Sequence, residues 1–156
     1  IVRHTNFHDS NISGVDLSGM DLTGTILTGA DLTDSILTGV DLSGKDLTGT
    51  ILTGADLTGV NLTGTILTGA DLSSAILIDA DLSDKDLTGT VLKRANLSGV
   101  NLTGTILTGD NLSSAILTGA DLSDMDLTGT VLKSADLSGV NLTGTILTGA
   151  TFLVQN

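Results

Sequence analysis

The chain has 156 residues, the length of one domain, and a net charge of −12 carried by 18 Asp and no Glu. Aspartate belongs to turns and glutamate to helices, so this acidity points to a chain that turns often. The lack of Cys excludes disulfides and thiolate metal sites, two Phe without Trp or Tyr are too few for an irregular aromatic core, and 40% hydrophobic residues exclude a disordered acidic chain.

From the N-terminus, the chain opens on IVRHTNFHDS without Met, which points to a processed chain or a segment cut from something longer. Residues 1–4 read as a tail, 5–154 as a single repeat domain and 155–156 as a second tail. Leucine stands at every fifth position from Leu17 to Leu147; Phe7 and Ile12 extend the series backward and Phe152 forward. With leucine as position i, the thirty units run Ala, Val or Thr; Asp, Asn or Ile; Leu; Thr or Ser; Gly. Five residues advance about 500° around a helix and would spread the leucines over every face. In a flat strand an odd period flips each successive leucine to the other side. One shared interior therefore requires a corner in every pentapeptide, which makes the chain a solenoid.

All 20 glycines sit at i+2, as at Gly14 and Gly49, and Asp34, Ser74, Asp79, Asp84 and Asp124 stand in where glycine is missing. A position reserved for Gly, with Asp as substitute, marks φ > 0 at the second central residue of a type II turn. A longer period overlies this one. Residues 65–104 and 105–144 match at 33 of 40 positions, and 25–64 is a looser copy. Forty residues are eight pentapeptides, or two whole coils of a four-sided tube.

Sorting the i−1 residues by side then gives a pattern. One column alternates Ile26, Asp46, Ile66, Asp86, Ile106, Asp126 and Ile146. A second holds Asp16, Ile36, Asp56, Ile76, Asn96, Ile116 and Asp136, and a third Asp31, Ile51, Asp71, Val91, Asn111 and Val131. Coils stack about 4.8 Å apart, where directly opposed carboxylates repel, so the isoleucines act as spacers in charge ladders. The fourth column stays polar: Asp21, Asp41, Asn61, Asp81, Asn101, Asp121 and Asn141.

These units resemble the pentapeptide repeat family over residues 5–154. The resemblance implies an all-β, right-handed quadrilateral β-helix with four pentapeptides per coil and about seven coils. It places i and i−2 inward, and i−1, i+1 and i+2 outward. The TILTG units and the two-coil period are more narrowly similar to the repeat domains of cyanobacterial heterocyst glycolipid localisation proteins. That similarity implies a larger protein engaged in glycolipid localisation or export, attached to a membrane protein outside this stretch. Lys45, Lys85, Met125 and Asp110 depart from the pattern at inward i−2 positions. A widened corner that lets the lysine ammonium escape toward water is the expected outcome. Phe7 and Phe152 are placed to plug the tube ends, with Leu153 a further end contact, and the open edges there invite end-to-end stacking of copies or a cap from the rest of a larger chain.

The sequence offers no catalytic, cofactor or metal constellation. His4 and His8 lie at the N-terminus, and adjacent His8, Asp9 and Ser10 do not make a triad by sequence alone. Lys93, Arg94 and Lys133 are scattered among aspartates as charge compensation. The glycine-rich nonapeptide of calcium β-rolls is missing, and the longest aliphatic runs, such as AILI at 75–78, are too short to span a bilayer. The second Thr of each TGT triplet points inward, which removes a flat threonine array of the ice-binding kind. A non-catalytic scaffold that docks an unidentified protein through its Ile stripes or polar column is the first reading, with no direct contact to nucleic acid. The alternative implied by the family is an acidic DNA mimic that binds a type II topoisomerase such as gyrase.

Overall fold

The computed structural model describes residues 2–152; Leu153, expected at a tube end, lies outside them. The architecture is a parallel β-helix. Each bridge joins a residue to the one 20 positions later, from Asn6 with Ile26 to Val131 with Thr151. We number the successive 20-residue rungs from this register: first 2–20, second 21–40, third 41–60, fourth 61–80, fifth 81–100, sixth 101–120 and seventh 121–140, with 141–152 following.

Corners come first in the local chemistry. The i+3 N–H donates to the i carbonyl, as from Ala30 to Leu27 at 2.9 Å, closing a four-residue turn. The i+2 residue has positive φ at all thirty corners from His4 to Gly149, between 52° and 79°, and ten of these residues are not glycine. A corner every five residues leaves room for one bridged pair per side. Between corners, neighbouring rungs exchange bonds: Leu37 N–H to Asp56 O at 2.9 Å, Asp56 N–H to Ser35 O at 2.9 Å, and Gly39 N–H to Thr58 O at 3.0 Å.

Leucines 17 through 132 form a continuous buried column with the small i−2 residues between them. Full burial of one such side chain is worth roughly 1.5–3 kcal/mol. Threonine belongs in this core because its hydroxyl has a partner: Thr65 Oγ1 donates to the Leu42 carbonyl one rung back at 3.0 Å, and Thr90 to Leu67 likewise. Toward residue 152 the cover thins. Leu142 and Leu147 are exposed, as is Phe152, whereas Phe7 is half-buried against the core. No helix among the described residues is long and apolar enough to cross a membrane.

Candidate interaction surface

Aspartate and asparagine at i−1 do one local job throughout. All 19 of them accept, through Oδ1, the N–H of the residue two positions on, as in Ser18 N–H to Asp16 at 2.9 Å and Thr63 N–H to Asn61 at 3.0 Å. The short side chain reaches its own backbone and a longer one would overshoot, which gives a physical reason for Asp without Glu. The hydroxyl of the following Ser or Thr, then its N–H, holds the carboxyls of Asp16, Asp31, Asp41, Asp46, Asp56, Asp81, Asp86, Asp121, Asp126 and Asp136 below the usual carboxylate range. Asp21 is lowered further, first by the Arg3 guanidinium that pairs with it. These carboxylates thus stay ionised well into acid.

The polar column lines one side with its members exposed. Asn61 Nδ2 donates to Asp41 Oδ1 at 3.1 Å, and Asn101 Nδ2 to Asp81 Oδ1 at 3.1 Å. The next side carries the stripe of Ile26 (48% exposed), Ile66, Ile106 and Ile146 (50%), with Asp46, Asp86 and Asp126 between them. On another side Ile36 and Ile116 are exposed while Ile76 is half-buried, so that stripe is less regular.

The inward polar residues fall into two kinds. Lys45 and Lys85 are half-buried. Lys45 Nζ lies 3.4 Å from the Thr25 carbonyl and borders a cavity with Asp21 and Asp41; Lys85 borders a second cavity with Asp81. Asp110 is 4% exposed. Its Oδ1 accepts the Gly89 N–H at 3.1 Å, and its Oδ2 is buried without a partner. Burial, reinforced by the Asp86 charge, pushes its carboxyl up to about 6. Among the described residues no group of three or more His, Cys, Asp or Glu could hold a metal ion.

Three features were not read from the sequence. Arg3 and Asp21 meet across 18 residues. Met20 occupies an i−2 position where Val40, Val60 and Val100 are buried, yet it is exposed, its length being the available signal. Arg94 holds a corner with φ 62°, a residue type that gives no left-handed signal. The corner aspartates also constrain the next rung. The Asp34 carboxylate stands over Gly54, and Asp79, Asp84 and Asp124 stand likewise over Gly99, Gly104 and Gly144, where a Cβ would collide with it.

A family model described as pentapeptide repeats matches residues 3–39, 41–77, 55–94, 70–109 and 115–152. Among solved structures, HetL from the cyanobacterium Nostoc sp. strain PCC 7120 is similar. It is a pentapeptide repeat protein involved in heterocyst differentiation regulation, 30% identical, with 96% of this chain and 88% of HetL covered and a TM-score of 0.57. A pentapeptide repeat protein of the Arabidopsis thaliana thylakoid lumen is 28% identical over 77% of this chain and 72% of its own, with a TM-score of 0.46. A form of QnrB1, a plasmid-mediated fluoroquinolone resistance protein, is 20% identical over 93% and 83%, with a TM-score of 0.41. No curated protein sequence matches. Five-residue corners, a buried leucine column, a 20-residue parallel register and this family match agree, and the chain belongs to the pentapeptide repeat family of right-handed β-helices.

Proposed function

We propose that the chain is a non-catalytic docking scaffold within a larger protein, a four-sided rod of about seven coils, roughly 35 Å long at sheet spacing. The repeat domain spans 5–154 between short tails, with mostly type II corners. Bridges 20 residues apart and positive φ at each i+2 support that architecture. The observation that carries the docking reading is the stripe of Ile26, Ile66, Ile106 and Ile146, each about half exposed on one side. A core does not need these residues outside, and two rungs set them about 10 Å apart. Such a dotted apolar line fits a partner that makes several weak contacts at matching spacing. The similarity to HetL, which is involved in regulation, accords with work done through protein contacts. Glycolipid localisation or export is the setting we favour for the larger protein.

A photo-crosslinking residue at position 66 of the full-length protein tests this. One discrete partner should be captured, and Ile26→Ser with Ile106→Ser should abolish capture. Capture that ignores those substitutions, or no discrete product, refutes the stripe as a docking line. Particle mass that rises with concentration in light scattering, followed by refractive index, would identify end-to-end stacking instead.

The exposed and ionised column of Asp21, Asp41, Asp81 and Asp121 favours a second reading, a surrogate for DNA on a type II topoisomerase. A gyrase supercoiling assay with the chain titrated in decides between them. Inhibition that weakens with salt would displace the docking reading, and unchanged supercoiling removes the mimic.

A further inference from the structure

The forty-residue period has a counterpart in the backbone that charge spacing does not explain. Between the third and fourth rungs the polar side, the corner beyond it and the adjoining Ile-stripe side are fully zipped. Leu42 N–H donates to Asn61 O at 3.0 Å, Gly44 to Thr63 at 2.8 Å, Ile66 to Lys45 at 2.9 Å and Leu47 to Ile66 at 2.9 Å. The equivalent N–H groups between the second and third rungs, on Leu22, Gly24, Asp46 and Leu27, donate to no backbone carbonyl among the described residues. The same four bonds are missing between the fourth and fifth rungs and between the sixth and seventh, and they are present between the fifth and sixth. The far sides of the open interfaces stay bonded: Ile51 N–H to Ala30 O at 2.9 Å, and Asp56 N–H to Ser35 O at 2.9 Å.

At this corner, two other observations fall at the first opening, and the second of them at the next opening as well. A Cβ built on Gly64 would lie 3.8 Å from Gly44 Cα, but one on Gly44 meets nothing within 4 Å. Cavities of about 460 Å³, bordered by Asp21, Asp41 and Lys45, and about 340 Å³, bordered by Asp81 and Lys85, open at the first two of these interfaces.

The cause is the inward corner residue. Down this corner the chain reads Thr25, Lys45, Thr65, Lys85, Thr105, Met125 and Thr145. At the closed interfaces beyond the second rung a Thr hydroxyl reaches back to the previous rung, Thr65 to Leu42, Thr105 to Leu82 and Thr145 to Leu122, at 2.7–3.0 Å, whereas Thr25 turns to Leu22 in its own rung. At each open one a long unbranched side chain takes that place, too large for a corner sized for threonine. Lys45 Nζ occupies the Thr25 carbonyl that the Asp46 N–H would otherwise use. The Met125 opening is the narrowest, since Asn101 and Asp121 remain bridged across it.

We propose that the rod is assembled from two-rung blocks joined by hinges that open on two adjoining sides, the polar side and the Ile-stripe side, where Lys45, Lys85 and Met125 hold the rungs apart. The joints flex about the two bonded sides, so the spacing of the carboxylates on the polar side and of the isoleucines beside them varies while the leucines beneath stay covered. Both residues flanking the first joint, Leu22 and Leu42, are buried.

Amide hydrogen exchange on the intact protein, resolved by residue, tests the device. Leu22, Gly24, Leu27 and Asp46 should exchange on the order of 100-fold faster than Leu42, Gly44, Leu47 and Ile66. Equal protection in the two sets overturns the proposal. Lys45→Thr should raise protection of the first set to that of the second, whereas Lys45→Met, which copies position 125, should leave it low. A Lys45→Thr variant that folds without gaining protection, or a Lys45→Met variant that gains it, removes the side chain as the wedge. Should Lys45→Thr not fold, the wild-type comparison and Lys45→Met still decide.

Discussion

Replacing Asp110 with Asn should stabilise this protein at neutral pH. The position is held by Ala70 two rungs earlier and Ala150 two rungs later. There Asp110 buries a carboxylate with one partnered oxygen and one without. Its carboxyl rises from 3.8 to about 6, mainly through burial. At roughly 1.4 kcal/mol for each factor of ten in the proton equilibrium, that rise opposes folding by about 3 kcal/mol at pH 7. Because this pKa is raised, the folded state holds a proton between about pH 4 and 6 that the unfolded chain has lost. Stability from this group therefore grows as pH falls through about 6 and is lost above it. Asparagine keeps the acceptor for the Gly89 N–H and removes the charge. The gain should be about 2–3 kcal/mol at pH 7.5 and shrink toward zero near pH 4, where protonated Asp110 matches the amide. Asp16, Asp41, Asp81 and the other carboxyls held low by a following Ser or Thr contribute stability that is present above the unfolded pKa and lost as pH falls. That loss is common to both proteins and cancels in the difference. Urea unfolding followed by circular dichroism at pH 7.5 and pH 4.5 reads the effect, since the chain has no Trp or Tyr. A difference independent of pH, or a variant weaker at pH 7.5, would refute the reasoning.

Leu77→Ala, at a fully buried position, should cost about 2–5 kcal/mol in the same unfolding assay, while Leu147→Ala, where the side chain is 37% exposed, should cost well under half of that. Gly39→Ala carries only the strain of φ 67° in open space, about 1 kcal/mol, whereas Gly54→Ala must also displace the Asp34 carboxylate. Asp34→Gly should erase that excess in a double-mutant cycle, and an unchanged excess would show that the carboxylate is not its source. Ile66→Asp with Ile106→Asp makes an unbroken acidic column from Asp46 to Asp126. The lowered melting temperature should recover in 1 M salt, and a loss insensitive to salt would mean that the isoleucines are not charge spacers.

How much of this was legible in the sequence depends on the range of the interaction. The five-residue period placed the buried leucines, and the glycines placed the positive φ, because both are set within one pentapeptide. Asp9, Arg94 and His4 at the same corners escaped notice, since propensity is a weak guide where the fold imposes the dihedral. Spacing alone did not bring Arg3 to Asp21, which takes a chain that has already closed one rung. The pairing of Asp34 with Gly54 is readable only once a 20-residue register is known, and then it is strict: the aspartates at 9, 34, 79, 84 and 124 all have glycine 20 residues later. Lys45 and Lys85 stood out as misfits, but their joint effect needed the backbone to show which interface they part.

The polar column adds an outward reason for the same alternation. Where Asp precedes Asn, as in Asp41 with Asn61 and Asp81 with Asn101, the amide donates back to the carboxylate and the interface is closed. In the order Asn61 then Asp81, the later residue is a carboxylate with no proton to offer, and that interface is open. The inward Lys85 and the outward Asp81 thus oppose closure at one joint from its two faces. If they act together, Asp81→Asn alone should change little, because Lys85 still parts the rungs. Lys85→Thr alone should close the backbone without the amide link. The double variant should exceed the sum of the two by about 1 kcal/mol in urea unfolding. Simple additivity would mean that the inward and outward columns share a period without sharing a cause.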